Sequence, residues 1–504
     1  MFGIKSFLMI AMTMATANIQ LQAIVSTDYD FDFNEDINNA YNLVTALRLD
    51  EARNALHQLK QTQPNNLAPI FIEDYIDFLC LMLSEDKALL RNYQINFNNR
   101  LALIDKNCFK HSPYYLFIKS EMTMHRAAVD FRFGNNILAF TAALKAYKLL
   151  ETNRTLFPDF VPNLKNLGLM QIIVGSMPPS FKGGFSFFTG ISGSVVIGSQ
   201  DVKRVMNEKS RQSYIFAFEA KVLYSFIQLY INDEPDEAWA LLRQTKVNYH
   251  AQPLLAFIHA GASYRSKRND ECIRLLTENN YGTDYYPITI SNLILGRAKL
   301  NRMDKDANIF LERFLKQYKG TTFRKEAHLL LHWYYTLFPD QKKREQHYQA
   351  VFSDGNTNAD SDNAAMQELK ANHVNSQVFL RARLLYDGGY SQRALTELIL
   401  AKSGIKNNPS LLLEYNYRYA RILQQMNNIQ DAIRLYRQVI TTGRSRSEYF
   451  ACNAALQIAV IYEKTNQPAN SEFYYNECLR INPATYKNSL HGKAKAGLLR
   501  LKQK

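Results

Sequence analysis

Between Asn375 and Pro483 one residue frame occurs three times, and it leaves little choice of fold. In each occurrence a small residue is followed by a bulky one three positions on, a second small one at twelve and a second bulky one at sixteen. The residues are Ala382, Leu385, Ala394 and Leu398, then Ala420, Leu423, Ala432 and Tyr436, then Ala459, Tyr462, Ser471 and Tyr475, with Pro483 as the stop. An offset of three keeps two side chains on one helix face, and an offset of twelve leaves room for a turn and a returning helix. The small residues let the two helices cross closely, and the bulky ones fill the groove between them. The frame therefore predicts an all-α chain, an α-solenoid of antiparallel helix pairs in which each unit packs on its neighbours.

The same spacing recurs upstream, at Ala40, Leu43, Ala52, Leu56 and Pro64; at Phe226, Leu229, Ala238 and Leu242; at Ala260, Ser263, Cys272 and Leu276; and, one residue short in its turn, at Gly296, Lys299, Ala307 and Leu311. Less regular pairs are expected over 69–83 with 87–104, 114–131 with 136–150, and 324–337 with 340–352. The polar run Ser353 to Asn363 reads as a linker, and Tyr486 to Lys502 as a Lys-rich helix capping the end of the array. The organisation expected is 1–23 a signal peptide, 24–166 N-terminal repeats, 167–205 a Gly/Phe-rich connection, 206–352 middle repeats, 353–363 the linker, and 364–504 a C-terminal array with its cap. The frame resembles that of tetratricopeptide repeats, which implies a scaffold that binds a partner on its concave face.

Met1 to Ala23 has the layout of a secretory signal: Lys5, a short apolar core from Phe7 to Ala15, and small-residue cleavage sites at Ala15-Thr16-Ala17 or Leu21-Gln22-Ala23. The apolar core is well short of the ~20 residues a membrane span needs. No cysteine follows it, so a lipid anchor is not indicated. The reading is an exported chain, periplasmic or associated with the cell envelope, with a soluble body.

Seven of the chain's 20 glycines fall between Gly168 and Gly198, where the helical rhythm breaks. One reading makes Ser186 to Ser199 a ligand loop or a membrane-contacting surface, a lipid- or small-ligand-binding alternative for the chain. The other, preferred, is a helix-to-helix connection tucked in through Phe181, Phe185, Phe187 and Phe188. No GxxxxGK[ST] or GxGxxG pattern occurs, so it is not a phosphate loop. The order Gly168-Leu169-Met170, Pro178, then Gly190-Ile191-Ser192-Gly193-Ser194 resembles the central signature of the eukaryotic inclusion-body-clearance proteins, departing from it at Met170, Gly175, Gly190-Ile191 and Ser194. Over Tyr114 to Val222 that resemblance implies a helical repeat scaffold without catalytic residues.

The chemistry-bearing residues form no catalytic set. His328 and His332 share a helix face, but the sequence between them is HLLLH and lacks the glutamate of HExxH, so they read as polar spots beside Leu329, Leu330 and Trp333. Gly190 to Ser194 lacks the last glycine of a nucleophile elbow. Glu234, Asp236 and Glu237 stand at a helix start, where they favour the dipole. Cys80, Cys108, Cys272, Cys452 and Cys478 show no metal spacing, although antiparallel packing would bring Cys452 near Cys478; packing as small apolar residues is the preferred reading. The net charge of +14 is dispersed in single Lys and Arg, which does not point to nucleic acid. No enzyme, cofactor or metal is expected.

What remains is recognition of another protein or peptide. In each first helix the second, fifth, ninth and twelfth positions are expected to face the groove: Ser376, Phe379, Arg383 and Tyr386; Glu414, Tyr417, Arg421 and Gln424; Asn453, Leu456, Val460 and Glu463. Arg383 and Arg421, flanked by Tyr386 and Tyr417, would hold a carboxylate of an extended peptide. The peptide-binding candidates are Phe379, Arg383, Tyr386, Tyr417, Arg421 and Gln424.

Overall fold

A computed structural model describes residues 29–177, 190–191, 193–210, 214–244, 248–278, 281–370, 376–405 and 408–503. Met1 to Ala23 and Phe181, Phe185, Phe187 and Phe188 lie outside the described residues. Among the described residues the regular structure is helical, with two isolated bridges, Tyr29 to Cys108 and Asp30 to Asn66. The chain forms two compact units: Met1–Met82, Ala88–Leu167 and Arg204–Ala220, and Leu83–Lys87, Gly168–Lys203 and Lys221–Lys504.

The first unit is built on the pairs α1 (Glu35–Thr45) with α2 (Leu49–Thr62), α3 (Ala68–Ser84) with α4 (Lys87–Asn107), and α5 (Pro113–Arg132) with α6 (Asn136–Leu156). Asn34 starts α1 by accepting from the Ile37 amide, and Ser112 starts α5 by accepting from Tyr114, with Pro113 in the first turn. Ala40 and Ala52 are buried, as a close crossing requires. Phe33, Phe117 and Phe216 meet edge to face at 4.8 to 5.2 Å. Buried Lys165 is held between Glu121 (2.6 Å) and Glu219, so its charge is compensated where water cannot reach it.

The second unit carries most of α7 (Leu164–Gly175) and α8 (Val195–Met206), and from Lys221 onward the rest of α9 (Tyr214–Tyr230) with α10 (Pro235–Arg243). There follow α11 (Pro253–Arg265) with α12 (Asn269–Thr277), α13 (Ser291–Arg302) with α14 (Ala307–Gln317), and α15 (Arg324–Leu337) with α16 (Gln341–Ser353). Next come α17 (Asp360–Lys370), α18 (Gln377–Asp387) with α19 (Ser391–Ile405), α20 (Pro409–Gln425) with α21 (Ile429–Gly443), α22 (Phe450–Lys464) with α23 (Pro468–Arg480), and α24 (Lys487–Gln503). Ala382, Ala394, Ala420, Ala432, Ala459 and Ser471 are all buried, and Ser471 Oγ donates to the Ala459 carbonyl at 2.9 Å across its pair.

A backbone signature accompanies the frame. Counting from its first residue, the seventh position has left-handed backbone in every frame hairpin: Leu47, Asp233, Lys267, Met303, Gly389, Asn427 and Asn466, with φ between 54° and 88°. In six of them the amide of the eighth position donates to the carbonyl of the third at 2.8 to 2.9 Å (Arg48 to Leu43, Arg268 to Ser263, Asp304 to Lys299, Tyr390 to Leu385, Asn428 to Leu423, Gln467 to Tyr462). This closure satisfies a carbonyl that the end of the first helix would leave open. Gly134 (φ 81°), seven after buried Ala127, and Asn135 bonded to Asp130 at 2.8 Å show that α5 and α6 obey the same frame.

The glycine stretch has a packing explanation in its described part. A Cβ on Gly198 would stand 2.4 Å from the Gly168 carbonyl oxygen, and one on Gly193 2.4 Å from the Gly175 nitrogen, so these glycines let α7 and the segment leading into α8 touch backbone to backbone. The expected linker, Ser353 to Asn363, is instead tied down. Asp362 is buried and accepts from the Phe323 and Glu326 amides, capping α15 from a distance, while Asp354 holds Arg324. Polar composition suggested a spacer because those same side chains are the ones that bond to a neighbouring helix start. Gly497 admits the ring of Tyr475 beneath α24, as expected of a helix that covers the last repeat.

Candidate peptide-binding groove

The six candidate residues divide into three groups. Phe379 and Tyr417 are buried. Phe379 packs with Ala382, Leu385, Ala394, Leu398, Tyr415 and Ile422, and Tyr417 lies 5.0 Å from Phe450 while its hydroxyl accepts from Asn453 Nδ2 at 2.7 Å. The expectation that both face a ligand is corrected. At the fifth position of the first helix a ring is drawn between successive pairs, where the small frame residues leave space. Leu456 is buried for the same reason.

Arg383 is committed internally. Its two Nη atoms reach both carboxylate oxygens of Glu368 on α17, at 2.7 and 3.1 Å, and its guanidinium lies 4.6 Å from the centre of the Trp333 ring. Glu368 also accepts from the Tyr486 hydroxyl at 3.3 Å. A bidentate, stacked arginine is not free to hold a second carboxylate. Glu414 and Glu463 are likewise taken, by Arg418 and by Arg500.

Arg421 and Tyr386 do come together, with a residue outside the expected set. The Arg421 guanidinium stands 4.4 Å from the Tyr386 ring centre and 5.9 Å from that of Tyr417. Lys267, the left-handed turn residue between α11 and α12, places its Nζ 3.4 Å from the Tyr386 ring centre and donates to Gln425 Oε1 at 2.5 Å. Arg421 makes no hydrogen bond or ion pair among the described residues, and its Nε is buried without a partner. Gln424 accepts from the Tyr436 hydroxyl at 2.6 Å and reaches Gln457 at 3.4 Å. Two cations thus share one aromatic ring, and the Asp387 carboxylate, next in the chain to Tyr386, acts on the cluster from beyond ion-pair distance of either cation among the described residues.

The electrostatics follow. Burial would raise the Tyr386 hydroxyl, but Arg421 and Lys267 outweigh burial and hold it below the ordinary tyrosine value. Burial lowers Lys267, against Tyr386 and Asp387, which favour its charge, and with Arg421, which opposes it. The Tyr386 shift records the positive charge gathered beside its hydroxyl. Sequence reasoning missed Lys267 because it sits far upstream of the array, in the middle repeats. Its signal was the frame itself: position seven holds Gly or Asn in the three C-terminal repeats and a long cation here.

The histidines serve different partners. His328 Nδ1 lies 2.9 Å from His347 Nδ1 and its Nε2 2.9 Å from Asp354 Oδ2, whereas His332 Nδ1 lies 3.2 Å from the Arg344 carbonyl. Among the described residues no group of three His, Cys, Asp or Glu side chains could hold a metal ion. Among them, too, no helix is long and apolar enough to cross a membrane.

Residues 413–442 and 453–485 match the family model described as tetratricopeptide repeat, and these are the pairs α20–α21 and α22–α23 with Pro483. Residues 413–485 carry tetratricopeptide repeats. No curated protein matches it. Tetratricopeptide repeats generally mediate protein–protein interaction, and such domains are typically non-catalytic scaffolds. Arg421 lies on the first matched tetratricopeptide pair, and Tyr386 is supplied by the pair before it.

Proposed function

We propose that this chain is a non-catalytic adaptor that holds another protein, and that the pocket of Arg421, Lys267 and Tyr386 takes a carboxylate from an acidic segment of that partner. The observation that carries the reading is the part-buried Arg421 guanidinium, which makes no hydrogen bond or ion pair among the described residues and feels only the more distant Asp387 carboxylate, beside a second cation on a tetratricopeptide pair. A guanidinium so placed gains about 1.5–3 kcal/mol from each charge-assisted hydrogen bond a carboxylate supplies, roughly 10- to 150-fold in affinity. The overall charge of +14 steers acidic partners toward the chain. The likeness of Tyr114 to Val222 to the inclusion-body-clearance proteins agrees with a scaffold and adds no site.

The test compares Glu-rich peptides, acetylated and amidated at their ends, with the same peptides carrying Gln, on the full chain by fluorescence anisotropy. The Glu peptides bind at least tenfold tighter, Arg421→Ala removes the difference, and added salt weakens it. Equal binding of Glu and Gln peptides, or an unchanged preference in Arg421→Ala, would overturn the reading. We also read Met1 to Ala23 as removed on export, so that the protein works in the periplasm or cell envelope. A mature chain isolated from cells then starts after Ala17 or Ala23, and one that retains Met1 contradicts export.

A further inference from the structure

In the last repeat, Cys452 at the start of α22 and Cys478 near the end of α23 bring their sulfurs to 3.5 Å, both fully buried. Cys452 lies seven before the first small residue of its frame and Cys478 seven after the second. The same two positions in the preceding repeat are Leu413 and Val439, both buried in the core that also contains the two cysteines. The place where one repeat meets its partner helix with two aliphatic side chains is thus occupied by two thiols in the next. Packing alone does not require thiols there, because the preceding repeat fills the same place with hydrocarbon.

We propose that Cys452 and Cys478 are a modification site, closing to a disulfide by exchange with a small-molecule or protein disulfide. In the first step the Cys452 thiol gives up its proton, and its sulfur attacks one sulfur of the donor, whose other half leaves as a thiolate. In the second, Cys478 loses its proton and attacks the Cys452 sulfur of the mixed disulfide, expelling the second half. Two protons and two electrons leave the pair, and one donor disulfide becomes two thiols. The contact between the two sulfurs favours the exchange, because the thiol that keeps its proton stabilises the thiolate beside it and then stands within reach of the mixed disulfide. Cys478 lies under α24, with its sulfur 3.9 Å from the Leu490 carbonyl, so local opening of that helix gives access to the pair. The bridge joins α22, whose Asn453 and Gln457 bond to Tyr417 and Gln424, to its partner helix.

The experiment uses the full chain, incubated with excess glutathione disulfide both folded and during refolding, then denatured, alkylated with a maleimide and digested for mass spectrometry. The expected product is one peptide pair joined through Cys452 and Cys478, two hydrogens lighter than the reduced pair, while Cys80, Cys108 and Cys272 are alkylated. On closure, amide exchange in α22 and α23 slows by roughly a hundredfold, and dithiothreitol reverses it. Cys452→Ala abolishes both the joined peptide and the slowing, and its far-ultraviolet spectrum reports whether it has folded. Two alkylated thiols after refolding in glutathione disulfide would overturn the proposal, as would bridges to Cys80, Cys108 or Cys272.

Discussion

Replacing Gly389 with Ala probes the turn between α18 and α19 and the groove at once. The backbone there has φ 88°, and a Cβ would stand 2.2 Å from the Lys267 carbonyl oxygen. Real Cβ contacts do not fall below 3.0 Å, so one turn must retreat by roughly 0.8 Å. The left-handed backbone costs alanine about 1–2 kcal/mol, and the forced movement about 1–3 more, for a total of about 2–5 kcal/mol. Asn427 is the internal control. It occupies the same frame position at φ 61° with an exposed side chain, so Asn427→Ala carries only the backbone part, about 1 kcal/mol. Because long repeat arrays do not unfold in one step, the measurement is hydrogen exchange rather than a global melt. Amides of α18 and α19 in Gly389→Ala should exchange at least about thirtyfold faster than in the unaltered chain, against about fivefold for the α20–α21 amides in Asn427→Ala. Equal effects of the two substitutions would mean that the Lys267 and Gly389 turns do not press together, and the placement of Lys267 in the groove would fall with that contact.

Other perturbations separate packing from charge. Gly198→Ala forces a methyl to 2.4 Å from the Gly168 carbonyl and should speed exchange in α7 and α8 by an amount equivalent to about 1–3 kcal/mol. Arg383→Ala strands the mostly buried Glu368 and should cost about 2–3 kcal/mol by local exchange around α17, whereas Arg421→Ala, which strands no carboxylate, should cost under about 1 kcal/mol. Burial, with His328 beside it, holds His347 at about 4, below an unfolded value of about 6.5. The unfolded state therefore binds more protons between those values, so stability is full above pH 6.5 and declines toward pH 4 by up to about 3 kcal/mol. His347→Phe should flatten that decline in an acid titration followed by exchange in α15 and α16.

The helix pairs were readable because the frame is local: offsets of three, twelve and sixteen are set by helix geometry and need no knowledge of what lies elsewhere. The groove was only half readable for the complementary reason. Tyr386 and Arg421 do meet, as the offsets suggested, but Phe379 and Tyr417 were assigned to the wrong side, since a ring at position five is claimed by the space the next pair leaves beside it. Arg383 could not be recognised as occupied, because its partner Glu368 lies on α17, just beyond a run whose composition reads as a spacer. The glycines of α7 and α8 looked like a break in helix, although residues without a Cβ also mark places where two helices touch.

The position-seven turns explain why so few of them are glycine. A non-glycine residue there costs on the order of 1 kcal/mol or more, which persists only where the side chain returns something. Glu85, the left-handed residue of the α3–α4 turn, does so structurally: within the second unit it accepts from Tyr318 Oη at 2.9 Å, the Thr321 amide at 3.0 Å and the Thr322 amide at 3.3 Å. Lys267 returns one bond to Gln425 and contact with a ring whose other neighbour is also cationic, a poor structural exchange. Glu85→Gly should therefore lose about 3 kcal/mol despite the relieved backbone, because buried donors are left unpaired. Lys267→Gly should change stability by less than about 1 kcal/mol while weakening Glu-peptide binding severalfold. If Lys267→Gly proved as damaging to local exchange as Glu85→Gly, Lys267 would be a strut, and the case for it as part of a binding pocket would be lost.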